Sequence, residues 1–243
     1  MIKMYDVAML LADTTRSRIY IQELKKAGLS PNNCVVFGDN VSTGGGHLSR
    51  KYNGEEQLAL NMQETIIDTL KSMDVSYDFC DTKDINSSLM KATIAGLKEK
   101  YIIYSGYGGA ILKPHLFQLG KKYIHVHAGA LPQFRGSTTA YYSILKESTI
   151  GATAIFLNEE IDKGDILYQE KFSLPEYAVD MDYIFEPWCR AQVLVTTLNN
   201  YIDNDNNFAV VNQNNEGAET YFIIHPVLKH LAIKKLKQAI TKG

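Results

Sequence analysis

Two histidines one residue apart, His125 and His127, and an acidic turn at Asp162-Lys163-Gly164-Asp165 are the residues of this chain best suited to acid–base chemistry. Histidine changes charge near neutral pH, and a neighbouring carboxylate raises its pKa and can accept or relay a proton. Residues 123–127 (YIHVH) alternate as a strand, so both histidines point to one face. A lesser alternative is a two-histidine, one-carboxylate metal site with Asp162, since H-x-H on a strand can serve as a bidentate arm. Taken singly, the histidines also read as satisfied surface residues, and the Asp-Gly turn as an ordinary tight turn.

Weaker candidates surround these. Ser105-Gly106-Tyr107-Gly108-Gly109-Ala110 follows a strand but fails G-x-G-x-x-G, because Ile111 stands where the third glycine belongs. Gly44-Gly45-Gly46-His47 could approach a phosphate or be simple loop flexibility. Arg16 and Arg18 could meet an anion. Tyr141 and Tyr142 could offer a flat apolar surface or pack within a helix. His115, His230 and the lysines from Lys229 to Lys242 read as solvated helix faces.

The elements that must hold these residues alternate. Strands are expected at 5–11, 34–37, 75–80, 101–105 and 123–127. Between them fall helices ending at Gly28, over 54–73 (Leu58, Met62, Ile66 and Leu70 at steps of four), over 86–98 and at 113–119. Repeated β-then-α units predict an α/β fold with a mostly parallel sheet and helices on both faces. Later come strands at 151–157, 166–172 and 208–211, a helix over 181–202 around Trp188, and a basic helix at 227–240. A soft boundary at Leu174-Pro175 separates a catalytic domain, 1–175, from a small helical C-terminal extension, 176–243, packed on the same core.

The block His125-Val-His-Ala-Gly-Ala-Leu-Pro-Gln-Phe-Arg-Gly136, followed by Ile161-Asp-Lys-Gly-Asp-Ile-Leu167, resembles the folate-dependent formyltransferase family. That family's motifs read Asn-x-His-x-x-x-Leu-Pro-x-x-x-Gly and Asp-x-Gly-x-Ile; His127, Leu131, Pro132, Gly136, Asp162, Gly164 and Ile166 match. His125 occupies the asparagine position, where relatives use an amide donor to the formyl oxygen. The resemblance implies a Rossmann-like formyltransferase fold and an N-formyltransferase using 10-formyltetrahydrofolate. It implies His127 as oxyanion stabiliser, Asp162 as its charge and proton partner, and His125 as substitute donor. It further implies that Tyr107, Gly108, Ile111, Leu112, Asn158 and Glu160 meet the folate, and that Gln133, Phe134, Arg135 and Gly136 meet the acceptor.

The acceptor is narrowed by exclusion. Initiator-tRNA members of the family carry a further C-terminal domain and a basic surface. Purine-pathway members place a glycine loop after the first strand, where this chain has Leu11-Ala12-Asp13-Thr14-Thr15-Arg16. A small-molecule amine, an amino sugar or nucleotide-linked amino sugar, remains. A second reading is a formyltransferase-like binding protein with weak transfer, a consequence of His125; a third is the metal-dependent enzyme.

Composition agrees with a soluble globular protein. The 243 residues are 45% hydrophobic and 21% charged, with a net charge of −2, which gives no electrostatic footprint for nucleic acid or an acidic membrane. Three separated cysteines without C-x-x-C suit a reducing compartment. No run approaches the ~20 apolar residues of a membrane span, and no secretory signal opens the chain, so a cytoplasmic protein is expected. A homodimer is compatible with these features.

Overall fold

The apolar run that begins at Tyr5 lengthens into a central strand. A computed structural model describes residues 1–43, 50–214 and 216–240. In chain order its first half comprises β1 (Ile2–Ala12), α1 (Thr15–Lys26), β2 (Leu29–Phe37), a short turn of helix at Val41–Thr43, α2 (Ile66–Ser72), β3 (Ser76–Cys80), α3 (Ser88–Gly96), β4 (Tyr101–Ser105), α4 (Pro114–Phe117) and β5 (Lys122–His127). The second half comprises β6 (Arg135–Gly136), α5 (Thr139–Glu147), β7 (Thr149–Phe156), β8 (Ile166–Ser173), one wide turn at Met181–Phe185, α6 (Glu186–Asp203), β9 (Thr220–Tyr221) and α7 (Pro226–Ile240). Packing divides the chain into two units, Met1–Lys51 with Ala59–His125, and Tyr52–Leu58 with Val126–Gly243. The boundary expected near 175 falls inside the second unit.

In the first unit the strands lie in the order β3-β2-β1-β4-β5, all parallel. β1 is flanked on both sides, so Val7 to Ala12 are fully buried, as a strand covered on both faces requires. The chain builds outward from β1 through β2 to β3, then crosses to β4 on the other side. Ligands of open α/β sheets bind beyond the carboxyl ends of strands at such a switch. Thr14 caps α1 by accepting from the Ser17 N–H at 3.2 Å, and Gly28, at φ +70°, turns the chain into β2.

The helix expected over 54–73 is confined to α2. Ala59 adopts φ +51°, outside helical space, and side chains of α1 then hold the following segment as a loop. Gln22 exchanges hydrogen bonds with the backbone of Asn61, at 2.7 and 3.0 Å, and Arg18 donates to the Met62 carbonyl at 3.1 Å. Thr65 and Asp68 then form a capping box that starts α2. Met62, Ile66 and Leu70 are buried as their spacing suggests, but a loop delivers the first of them. Arg18 is therefore a buried structural residue rather than a free anion contact. The Gly44-Gly45-Gly46-His47 loop lies outside the described residues.

The second unit takes up the last two residues of β5, Val126 and His127, and pairs β7 with β8 antiparallel. Its core joins Ala140, Tyr141 and Ile144 of α5 to Phe185 and Cys189, and to Ala232 and Leu236 of α7. Pro187 sits in the first turn of α6, where its missing N–H costs nothing. The strand expected at 208–211 reduces to a single bridge between Val211 and Ile166. Phe208 instead stacks on Tyr201, 4.4 Å between ring centroids. Unforeseen in the sequence, β9 pairs in parallel with β6, tying the C-terminal segment to the loop after β5. Seven strands form the main, mostly parallel α/β sheet, in which β7 and β8 run antiparallel to one another. Among the described residues, no helix is long and apolar enough to cross a membrane.

Candidate active site

His127 ends β5 and turns its ring into the second unit, where it is 4% exposed. Its Nε2 lies 2.6 Å from the Phe134 carbonyl, which accepts a hydrogen bond, and its Nδ1 lies 3.3 Å from Oδ1 of Asp162. Thr139 approaches the same Nε2 at 3.4 Å while donating to the Ala128 carbonyl. Acceptors therefore flank both ring nitrogens, and only the imidazolium satisfies both with N–H groups. Burial acts against that charge and lowers the His127 pKa below its ordinary value; Asp162 and the Phe134 carbonyl oppose the fall. Such a ring gives up a proton readily.

Asp162 lies in the loop between β7 and β8 at φ +55°, a conformation uncommon outside glycine. Its Oδ2 accepts the Gly136 N–H at 2.8 Å, so the carboxylate bridges the loop after β5 to its own turn. Two glycines make the approach possible. At Gly136, φ is +98° and a Cβ would overlap the Tyr221 carbonyl; at Gly164, a Cβ would overlap the Phe156 carbonyl. Thr153 of β7 supports the loop from beneath, donating to the Gly129 carbonyl at 2.6 Å and accepting the Leu131 N–H at 3.2 Å. The Leu131–Pro132 peptide is cis.

The remaining sequence candidates divide between the units. His125 stays in the first unit, half-buried, with Nδ1 3.4 Å from the Tyr104 carbonyl. Also there, on the segment after β4, Tyr107 donates to the Phe37 carbonyl at 3.3 Å, Gly108 has open space around it, Ile111 is 58% exposed and Leu112 is buried. Arg16 holds the same segment by donating to the Gly106 carbonyl. In the second unit, Asn158 accepts the Glu160 N–H at 3.0 Å, and Glu160 pairs with Lys163 at the surface. Gln133 is exposed, but Phe134 and Arg135 are buried, Phe134 stacking on Tyr221 at 5.5 Å. The side chains of Tyr141 and Tyr142 are engaged: Tyr141 donates to Asp182 at 2.6 Å, and Tyr142 lies 4.4 Å from Tyr221.

The structure brings His127, Asp162 and the Gly136 amide together, with the Phe134 carbonyl as fourth member. Sequence reasoning did not reach Thr139, Thr153 or Gln213. Gln213 sits within the polar run Asn212-Gln213-Asn214, which carries no local signal of any role. Among the described residues, no group of three His, Cys, Asp or Glu side chains is disposed to hold a metal ion.

The chain thus combines a mostly parallel α/β fold with a buried histidine–carboxylate pair in its second unit. A family model described as formyl transferase matches residues 7–180, and the chain belongs to that family. It is 28% identical over 155 residues to a methionyl-tRNA formyltransferase of Finegoldia magna, covering 58% of this chain and 50% of the relative. It is 32% identical over 111 residues to one from Helicobacter acinonychis, covering 44% and 35%. The chain spans about half or less of the length of these curated relatives. Among solved structures, an N-formyltransferase from Helicobacter canadensis in complex with folinic acid and dTDP-3-aminofucose superposes with a TM-score of 0.59 at 15% identity, covering 96% of this chain and 81% of that one. Phosphoribosylglycinamide formyltransferase from Bacillus halodurans superposes with a TM-score of 0.54 at 18% identity, covering 82% and 96%. At such identities these structures speak for the fold.

Proposed function

We propose that this protein transfers a formyl group from 10-formyltetrahydrofolate to the amine of a small molecule, an amino sugar or nucleotide-linked amino sugar. The observation that carries the reading is the buried His127–Asp162 pair, held by the Gly136 amide inside the family's motif. The donor supplies the formyl carbon. A neutral amine attacks it, a carbon–nitrogen bond forms, and the folate nitrogen leaves with a proton. The Nε2–H of His127, which meets the Phe134 carbonyl in this structure, turns to stabilise the oxygen that becomes negative on the way. Asp162 sustains the charge on the ring and receives or relays the proton that the amine sheds. His125 supplies the second donor, in place of the amide of relatives.

Residues of the segment after β4 suit a flat, polar-edged ring: Ile111 is exposed and apolar, and the Gly108 backbone is open to approach. Tyr107, Leu112, Asn158 and Glu160 complete the proposed donor contacts. Gln133 and Gly136 are the proposed acceptor contacts. Phe134 and Arg135, being buried, would shape that side through the backbone. The solved relative with a bound amino sugar nucleotide supports this acceptor class; the curated tRNA formyltransferases favour a different one, which the net charge of −2 does not.

The test is donor turnover. Protein is incubated with 10-formyltetrahydrofolate and, in separate arms, amino sugars, their nucleotide-linked forms and initiator methionyl-tRNA; tetrahydrofolate release is followed. Release with a sugar acceptor, lost in His127→Ala, is expected. Release with tRNA alone would transfer the reading to that acceptor. Tight folate binding with no release in any arm would leave a binding protein instead.

A further inference from the structure

We infer that Gln213 is a positioning residue for the His127–Asp162 pair, clamping the two loops that carry it. Its Nε2 donates to the carbonyls of Asp162 and Gly164, at 2.9 and 2.7 Å. Its Oε1 accepts from the buried Arg135 guanidinium, from Nε at 3.3 Å and a terminal nitrogen at 2.8 Å. Both amide hydrogens and both lone pairs are thus engaged, and no other side-chain type of this length offers two donors and two acceptors at one end. Arg135 adjoins Gly136, whose N–H holds the Asp162 carboxylate, so the clamp grips each end of that contact.

The need for a clamp follows from the backbone. Asp162 is held at φ +55°, a strained setting that persists only where its surroundings over-determine it. The carbonyls of the turn would otherwise lack these donors near a largely buried pair. Neither the Asp-x-Gly turn nor the loop after β5 contains the residue that locks them. It arrives from the segment between α6 and β9, far away in sequence. The kinetic part of this inference rests on the formyl-transfer reading; the spectroscopic part does not.

The experiment follows the two ring ¹⁵N signals of His127 between about pH 5 and pH 8, identified by their loss in His127→Gln. Asp162→Asn, which removes the charge facing Nδ1, sets the reference and lowers any midpoint. Gln213→Met, which keeps the bulk but removes the hydrogen bonds, is expected to move both signals the same way as Asp162→Asn. The double variant is expected to match Asp162→Asn alone, since the clamp acts only through that carboxylate. Ring signals in Gln213→Met that match the unsubstituted protein would overturn the proposal, as would a double variant showing the sum of both changes. Should Gln213→Met fail to fold, Gln213→Asn, too short to reach both loops, must show the same change. In the transfer assay, Gln213→Met is expected to lower kcat on the order of 10-fold to 100-fold with KM little altered. Normal kcat with shifted ring signals would refute the kinetic role; absent transfer in the unsubstituted protein would refute the formyl-transfer reading and leave the ring test standing.

Discussion

Gly136 and Asp162 are joined by one hydrogen bond, the backbone N–H of the first donating to Oδ2 of the second at 2.8 Å. That bond leaves Oδ1 turned toward Nδ1 of His127, 3.3 Å away. A backbone amide therefore decides which carboxylate oxygen the histidine meets.

Asp162→Asn keeps the shape of the site and removes its charge. Transfer should fall on the order of 10²–10⁴-fold, the usual worth of a positioned acid–base group. His127→Ala should cost a similar factor, and the pair of changes together little more than either, because the two act as a unit. Single-turnover rates on the three variants decide the point; independent, multiplying losses would separate the two residues.

His125 makes a contrary case. His125→Asn restores the amide found in relatives, at a position where the ring lies near the Tyr104 carbonyl. Transfer should be preserved or increased. A large loss measured in the same assay would mean that the imidazole at 125 has acquired its own task.

Stability should depend on pH through His127. Its folded pKa lies below the ordinary 6.5, with burial the largest cause. Between the folded value and 6.5, the unfolded chain holds a proton that the folded chain does not. Stability attributable to this group is therefore full above 6.5, declines as pH falls toward the folded value, and levels off below it. Urea midpoints at about pH 7.5 and about pH 5.5 should differ less for His127→Gln than for the unsubstituted protein; equal differences would contradict the assignment.

Gly136→Ala tests the close passage of β6 against β9. A Cβ at this position would overlap the Tyr221 carbonyl, and φ +98° strains any side chain. A loss of about 1–3 kcal/mol in unfolding free energy is expected, together with reduced transfer, because the same residue's N–H holds Asp162. Denaturant unfolding reads the first effect and donor turnover the second.

Thr153→Val removes a buried hydroxyl that serves two backbone groups, the Gly129 carbonyl and the Leu131 N–H. Valine fills nearly the same volume but satisfies neither. Unfolding should become easier by about 1–3 kcal/mol, and an unchanged urea midpoint would deny Thr153 its supporting role.

Much of this protein was legible in local pattern. The βα alternation of residues 5–127, the stop at Gly28, the brief helix at Pro114 and the pair of strands around the Asp-Gly turn all follow from periodicity and turn chemistry. The two motifs holding His127, Leu131, Pro132 and Gly136, and then Asp162, were recognisable by their resemblance to the family, because each lies in a short run. The helix expected over 54–73 was not realised beyond α2, since Gln22 and Arg18 of another element satisfy the backbone at Asn61 and Met62. No period within the segment reveals a partner outside it.

The sequence by itself determined the class of fold, which follows from local periodicity, while the pairing of His127 with Asp162 was implied only by the resemblance to the family's two motifs. Only the tertiary structure decided how that pair is held. The depth of His127, the oxygen of Asp162 that it meets, the parallel pairing of β6 with β9 and the reach of Gln213 across two loops are set by contacts between residues remote along the chain. Such contacts leave no imprint on local hydrophobicity or propensity, which is why a plain glutamine in a polar run gave no sign of its place.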